Sequence, residues 1–313
     1  MIVVSEMLAQ PGPQMLEASG HAVMLDPTLW NNPARLHALL VEAEALIVRN
    51  QTRVTAQLLD AAPRLRVVGR LGVGLDNIDL AAARKRNITV TAARNANAIA
   101  VAEYVMAAML HTARNLSAAN ASVRSGTWDR TLGGTELWGR TVGLIGVGEI
   151  GRRVAKRAQA FGMRVIGYDP LVGPYDFAPA EQDITLLPLD EVLANADVIS
   201  LHVPLIPATH HLINEERLAQ MRPGAVLINT ARGGIVDELA LLDALNAGQL
   251  QHAFLDVREI EPSPPDDPLR SCASTVLTPH IAGLTAEAQE RTSRLVINDV
   301  LQVLAGGKAI GAV

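Results

Sequence analysis

The sequence predicts an α/β protein of two doubly wound domains, each a parallel sheet with helices on both faces. Three observations predict it. Short, β-branched apolar runs alternate with helical patterns through almost the whole chain, the rhythm of parallel βαβ units. Several runs of the second half, such as TVGLIG at 141–146 and AVLINT at 225–230, are continuously apolar, as strands buried on both faces are. The length, 313 residues, is about twice that of a typical domain.

The elements follow in order. IVV at 2–4, AVML at 22–25, ALIV at 45–48, RVVG at 66–69 and ITV at 88–90 read as strands. Asn32–Glu44 and Leu80–Arg86 read as helices between them. Residues 98–124 hold no Gly or Pro and read as one long helix leading out of the first domain. A second series starts at Thr141, with strands TVGLIG, MRVIGYD, DVISLHVP, AVLINT, AFLDV and STVLT. The amphipathic stretch Thr285–Leu304 is long enough to return to the first domain. The expected layout is therefore a discontinuous first domain, 1–98 and 286–313, with the second, 99–285, inserted into it, a cleft between them and closing hinges near residues 98 and 285.

Composition narrows the function. The chain is 49% hydrophobic and 19% charged, which fits a folded, core-rich protein. Aromatic residues make up 3% and the formal net charge is −5, which argues against a nucleic-acid surface. The lone Cys272 excludes an internal disulfide and a multi-cysteine zinc site. It suits a reducing compartment, so a cytoplasmic location is expected. The N-terminus MIVVSEMLAQPGPQ reads as a first strand, not a signal peptide. No apolar run approaches the ~18 residues of a membrane span. His210 and His211 are adjacent, a spacing that points side chains apart on regular structure, so no metal is expected there.

Gly146-Val147-Gly148-Glu149-Ile150-Gly151 follows the strand Thr141–Ile145 and opens a helical pattern. The first glycine allows the tight turn, the second lets backbone approach a pyrophosphate, and the third lets helix meet strand. The helix N-terminus offers free N–H groups to the phosphates. The next strand ends in Asp169, 23 residues after Gly146, where a carboxylate takes ribose hydroxyls. Pro170-Leu171-Val172 after it carries no cation for a 2′-phosphate, so NAD is preferred over NADP. Three later segments carry an ionisable residue just past a strand: Arg232, Glu261 and His280. Ligands of open α/β sheets sit at such carboxyl ends.

These segments resemble the D-isomer-specific 2-hydroxyacid dehydrogenases along essentially the whole chain. The likeness rests on GVGEIG at 146–151, NTARGGIVDE at 229–238, Glu261 directly before Pro262, and TPHIAG at 278–283. Glu261 and His280 stand 19 residues apart, as the family pattern requires. Within the family the sequence is most similar to the 3-phosphoglycerate dehydrogenase type, through IVRNQTRVT at 47–55, VVGRLGVGLDNIDL at 67–80 and GTELWGRTVGLIG at 134–146. The resemblance implies a Rossmann NAD-binding domain inserted into a flavodoxin-like substrate domain. It implies an NAD-dependent oxidoreductase passing hydride between nicotinamide and a 2-hydroxy acid. His280 would exchange the proton, Glu261 would favour the protonated imidazole, and Arg232 would bind the carboxylate and polarise the keto oxygen. Gly146, Gly148, Glu149, Ile150, Gly151, Asp169, His202, Pro204, Thr209, Thr230, Ala231, Asp256 and Gly283 would line the cofactor, with Asp256 at the nicotinamide amide. The amides around Gly72-Val73-Gly74 would hold the substrate carboxylate. Family members are typically homodimers, and the apolar AVAEYVMAAML fits either a partner helix or the subunit's own core.

Departures from the family pattern bear on the substrate. Arg94 stands where the family usually has Pro, beside a matching Asn95. Arg49 and Arg70 match positions that bind the distal phosphate, and Arg130 resembles one that reaches across the dimer. Several cations imply a second anionic group, as in 3-phosphoglycerate or 3-sulfolactate. Otherwise Arg94 caps a loop or pairs with an acid, and glyoxylate or hydroxypyruvate is the small anionic substrate. Arg258 replaces a common aromatic, with no account from sequence. The chain stops at Val313, so a C-terminal regulatory domain is not expected. A nicotinamide-sensing corepressor scaffold shares the Arg/Glu/His set but usually has tails; formate dehydrogenases carry an amide where Glu261 stands.

Overall fold

The computed structural model describes residues 1–173, 176, 179 and 181–313. Contacts divide the chain into two units: Met1–Asn97 with Leu284–Val313, and Ala98–Gly283.

The first unit is a five-stranded parallel sheet. Its strands are β1 (Ile2–Val4), β2 (Val23–Leu25), β3 (Ala45–Val48), β4 (Val67–Arg70) and β5 (Thr89–Ala92), in the order β2-β1-β3-β4-β5. Burial of β1, β3 and most of β4 on both faces explains their unbroken apolar character. One face packs helices Pro33–Leu40, Ala56–Asp60 and Leu80–Lys85 through Leu36, Leu40, Leu58, Leu59, Ala82 and Ala83. The other receives the last helix, Ala286–Leu304, through Val296, Ile297 and Val300. Gly69 makes that contact possible, since a Cβ there would stand 2.7 Å from Val300 and 2.8 Å from Val296. Thr285 caps this helix by accepting from the Ala288 amide. The chain after the helix bridges β5 at Thr91 and Ala312. The buried Asp299 carboxylate, accepting from the amides of Ile310 and Gly311, sets that turn.

The second unit is a seven-stranded parallel sheet. Its strands are β6 (Thr141–Ile145), β7 (Arg164–Tyr168), β8 (Thr185–Leu186), β9 (Val198–Leu201), β10 (Ala225–Asn229), β11 (Leu250–Leu255) and β12 (Thr275–Leu277), ordered β12-β11-β10-β9-β6-β7-β8. The order reverses between β6 and β9, the switch point at which such sheets bind ligands. One core layer lies under helices Leu189–Asn195, Glu215–Gln220 and Glu238–Asn246. The other lies under Ala98–Arg114 and Glu149–Ala160.

Two expectations are corrected. The single helix over 98–124 breaks at Asn115, whose φ of +38° ends Ala98–Arg114 and whose side chain caps Leu116–Arg124. Asparagine tolerates the left-handed region, so no Gly or Pro was needed to mark the break. The helix expected over 32–44 spans Pro33–Leu40, with Asn32 as its cap. Among the described residues, no helix is long and apolar enough to cross a membrane.

Candidate active site

The glycine turn after β6 is built as a dinucleotide cradle. Gly146 has φ +102°, and a Cβ there would lie 2.8 Å from the His202 carbonyl carbon. A Cβ at Gly151 would lie 2.3 Å from the Gly146 oxygen. In front of Gly148, which begins the helix Glu149–Ala160, the space is open. That combination leaves a helix N-terminus with an uncovered approach, the geometry a pyrophosphate requires. Asp169 sits beside it at the end of β7. One carboxylate oxygen accepts from the Val147 amide at 2.9 Å and the other from the Leu171 amide at 3.0 Å. Those bonds fix the carboxylate next to the glycine turn and leave lone pairs for hydroxyl donors. Glu149, at the first helical position, pairs with Arg152 at 2.7 Å and with Arg153. The Arg153 hydrogen bond is the largest effect holding the Glu149 carboxyl below its usual range. Ile150 follows it and packs on the core beneath.

The far wall comes from the ends of β9 and β10. His202 directly follows β9, and neither ring nitrogen has a partner or exposed surface. Burial pushes its pKa down to about 4, so the ring is neutral at pH 7. A depressed histidine penalises the fold as pH falls from its unfolded value near 6.5 toward 4, where the unfolded chain binds the extra proton. The urea midpoint is therefore expected to drop across that window, and to drop less in His202→Gln; equal slopes would contradict it. Thr209 orders its loop by donating to the Pro204 carbonyl at 2.5 Å and accepting from the Ile206 amide at 2.9 Å. After β10, Asn229 holds the turn by accepting from Ala231 N–H and donating to the Arg232 carbonyl. The Thr230 hydroxyl there is buried without a partner. Buried polar atoms without a partner are what a polar ligand satisfies, and with the open approach to Gly148 these residues fit a dinucleotide.

The ionisable trio sits at the carboxyl ends of β10, β11 and β12, which are neighbours in the sheet. His280 Nδ1 lies 2.8 Å from Glu261 Oε2. Glu261 Oε1 accepts from the Arg258 amide at 2.9 Å. Burial pushes the Glu261 carboxyl up, but the bonds from His280 and Arg258, with the charges of His280 and Arg232, outweigh it and hold the pKa low. Its carboxylate thus stays ionised at neutral pH. Arg232 lies in the same field and donates to the Ala231 carbonyl at 2.6 Å.

Asp256 has a role the sequence did not reveal. It is 1% exposed. Its carboxylate accepts from the Thr278 hydroxyl at 2.6 Å and from the amides of Ile281 and Ala282, each at 2.8 Å. Tyr104 meets Thr278 from behind at 2.6 Å. Asp256 thereby anchors the turn that carries His280, whose φ is +56°, through to the half-buried Gly283. The signal lay in Asp256 and Thr278 both closing strands that become neighbours.

In the first unit, β3, β4 and β5 lie side by side and end next to Arg49, Arg70 and Arg94. Parallel register thus places three arginines on one sheet edge, with strands ~5 Å apart. Arg49 stands on a loop whose amides, from Arg49 to Thr52, all donate to the buried Glu6 carboxylate. Burial draws the Arg49 pKa down, against the opposing charge of Glu6. The Arg70 guanidinium folds over Gly72, where a Cβ would overlap it. Ala93 N–H donates to the Gly72 carbonyl, tying the 72–74 turn, with its exposed Val73, to the Arg94 loop. Arg94 is exposed and donates to the Ala312 carbonyl at 3.2 Å, beside Asn95 at φ +61°. Arg130 is exposed in the second unit, at the start of a short 3-10 turn.

The two adjacent histidines do not point apart. His211 adopts φ +47° in an irregular loop, so its ring stacks on His210 at 4.0 Å, with Glu259 at 3.4 Å.

Residues 106–282 match the family described as "D-isomer specific 2-hydroxyacid dehydrogenase, NAD binding domain". The chain belongs to the D-isomer specific 2-hydroxyacid dehydrogenases. It is 44% identical over 307 residues to the D-3-phosphoglycerate dehydrogenase of Mycobacterium tuberculosis, covering 98% of this chain and 57% of that protein. The chain thus spans little more than half the length of that relative. The (S)-sulfolactate dehydrogenase of Chromohalobacter salexigens is 44% identical over 304 residues, 97% of this chain and 98% of its own. Among solved structures of the family, D-lactate dehydrogenase from Aquifex aeolicus, complexed with NAD and lactic acid, superposes with a TM-score of 0.87 at 33% identity. It covers 98% of this chain and 96% of its own.

Proposed function

We propose that this protein is an NAD-dependent oxidoreductase that interconverts a 2-hydroxy acid and a 2-keto acid. The observation that carries the reading is the 2.8 Å pair of His280 and Glu261, in the same unit as Arg232 and a dinucleotide cradle with Asp169 at its side. NAD supplies the acceptor for the hydride of the substrate carbon, and NADH the donor in reverse. In oxidation, His280 takes the hydroxyl proton through Nε2, the nitrogen that Glu261 leaves available. In reduction it returns that proton to the keto oxygen. Glu261 stabilises the imidazolium formed on the way. Arg232 presents a planar fork to the substrate carboxylate and keeps positive charge near the reacting oxygen.

The substrate proposed is a three-carbon acid with a second anionic group, a phosphate or a sulfonate. Arg49, Arg70 and Arg94 on one sheet edge support it, as do the phosphoglycerate and sulfolactate relatives. The Arg94 bond to Ala312 favours a loop-tying share in its role. We place the enzyme in the cytoplasm as a homodimer. Helix Leu116–Arg124 buries none of its residues, and Trp128 and Trp138 are 79% and 76% exposed, an apolar surface of the kind a second copy covers.

NADH oxidation across pyruvate, glyoxylate, hydroxypyruvate, 3-phosphohydroxypyruvate and 3-sulfopyruvate tests the reading. The last two are expected to give the highest kcat/KM. A lead for glyoxylate or hydroxypyruvate would defeat the second anion site. NADH binding without any turnover would defeat the enzyme reading in favour of a nicotinamide sensor.

A further inference from the structure

Arg258 interrupts an apolar strand end, and its side chain is only 8% exposed. Its guanidinium forks onto Glu238, with Nε to Oε1 at 2.9 Å and Nη2 to Oε2 at 2.8 Å. Nη1 meets Asp267 Oδ2 at 2.6 Å, and Asp267 is itself 6% exposed. The Glu259 amide adds a third bond to Glu238, at 2.9 Å. The two acids come from different places. Glu238 opens the helix Glu238–Asn246, at the end of the NTARGGIVDE segment that carries Arg232. Asp267 lies beyond Glu261, where it caps the turn Pro268–Ser271.

The backbone of Arg258 is as constrained as its side chain. Its amide holds Glu261 Oε1. Its carbonyl is pressed against Gly233, where a Cβ would lie 1.9 Å from the Arg258 carbonyl carbon. The residue thus touches the segment next to Arg232 on one side and Glu261 on the other. A buried ion network is a poor way to gain stability, since well-packed apolar side chains of similar volume do as well or better. Its charge geometry does fix direction and register, which apolar contacts do not.

We propose that Arg258 is a positioning residue: the Glu238–Arg258–Asp267 network is a strut that sets the Arg232 segment and the Glu261 carboxylate at a fixed spacing, so that Glu261 meets His280. The inference rests on His280 and Glu261 being the acid–base pair proposed above. Among the described residues, the charged group that acts on that pair is Arg232, while the Arg258 guanidinium is held by Glu238 and Asp267 and Glu259 faces His211.

The test uses Arg258→Lys, which keeps the charge and loses the fork, and Glu238→Gln, which keeps the shape and loses one charge. The imidazole of His280 is followed by NMR in histidine-labelled full-length protein, assigned by the signal lost in His280→Gln. In both variants the Nδ1 signal is expected to move toward that of an imidazole with no carboxylate partner, as the 2.8 Å pairing with Glu261 loosens. NADH affinity, read by fluorescence, is expected to be unchanged, because the glycine turn is untouched. A folded variant with the parental Nδ1 signal overturns the proposal, whatever its melting temperature. If Arg258→Lys does not fold, Glu238→Gln decides alone. The Nδ1 signal needs no turnover, so a protein inactive on every keto acid but with that signal moved in both variants would keep the strut and lose the oxidoreductase reading.

Discussion

His280→Gln is expected to lower kcat/KM for keto-acid reduction by about 10²–10⁴-fold, the usual contribution of a positioned proton donor. Glutamine fills similar space and can still meet the Glu261 carboxylate, but it has no proton to transfer near neutral pH. NADH affinity is expected to stay within experimental error, because the cradle around Gly146–Gly151 makes no bond to the His280 side chain among those described. Steady-state rates and fluorescence titration of the same preparation give both numbers. A loss below tenfold would mean that another group delivers the proton. Glu261→Gln is expected to be milder, since it removes the countercharge and leaves the donor.

The second large effect concerns the anchor beneath His280. Asp256→Leu strands three donors at once, the Thr278 hydroxyl and the amides of Ile281 and Ala282. At about 1–3 kcal/mol for each buried donor left without a partner, the loss is expected to reach about 3 kcal/mol or more. Asp256→Asn keeps one accepting oxygen and turns an N–H toward another donor, so it is expected to cost about 1–3 kcal/mol. Urea unfolding measures both. Activity is expected to fall in the asparagine variant under conditions where it remains folded, because the turn from Thr278 to Ala282 carries the histidine. Parental stability in both variants would show that water or a rotated turn replaces the carboxylate.

Much of this was legible in the sequence because its signals are local. The apolar runs at 141–145 and 225–229 mark strands buried on both faces, and they are strands. The glycine turn is readable because its spacing and its following helix are contiguous. What was not legible depends on partners far apart along the chain. The resemblance puts Asp256 at the nicotinamide amide, and its anchoring role emerges only when β12 lies beside β11 and brings Thr278, Ile281 and Ala282 to it. Arg258 gave no account of itself because its partners lie 20 residues before it, at Glu238, and in the next loop, at Asp267. The break at Asn115 escaped notice because a left-handed asparagine looks like any polar helix residue. The two-residue β8 is too short for any pattern.

The return of the last helix to the first sheet has a consequence for synthesis. β4 and β5 emerge from the ribosome with one apolar face bare, and its cover, Val296, Ile297 and Val300, lies beyond the whole second unit. At roughly 5–20 residues per second, translating residues 98–283 takes roughly 10–40 s. During that interval the inserted unit holds all its own strands and is free to fold, while the outer one waits half built. The nascent chain is thus exposed at its N-terminal sheet, not at its middle. A holdase that guards newly made chains would be recruited to the first hundred residues, and slowing translation late in the message would lengthen that engagement.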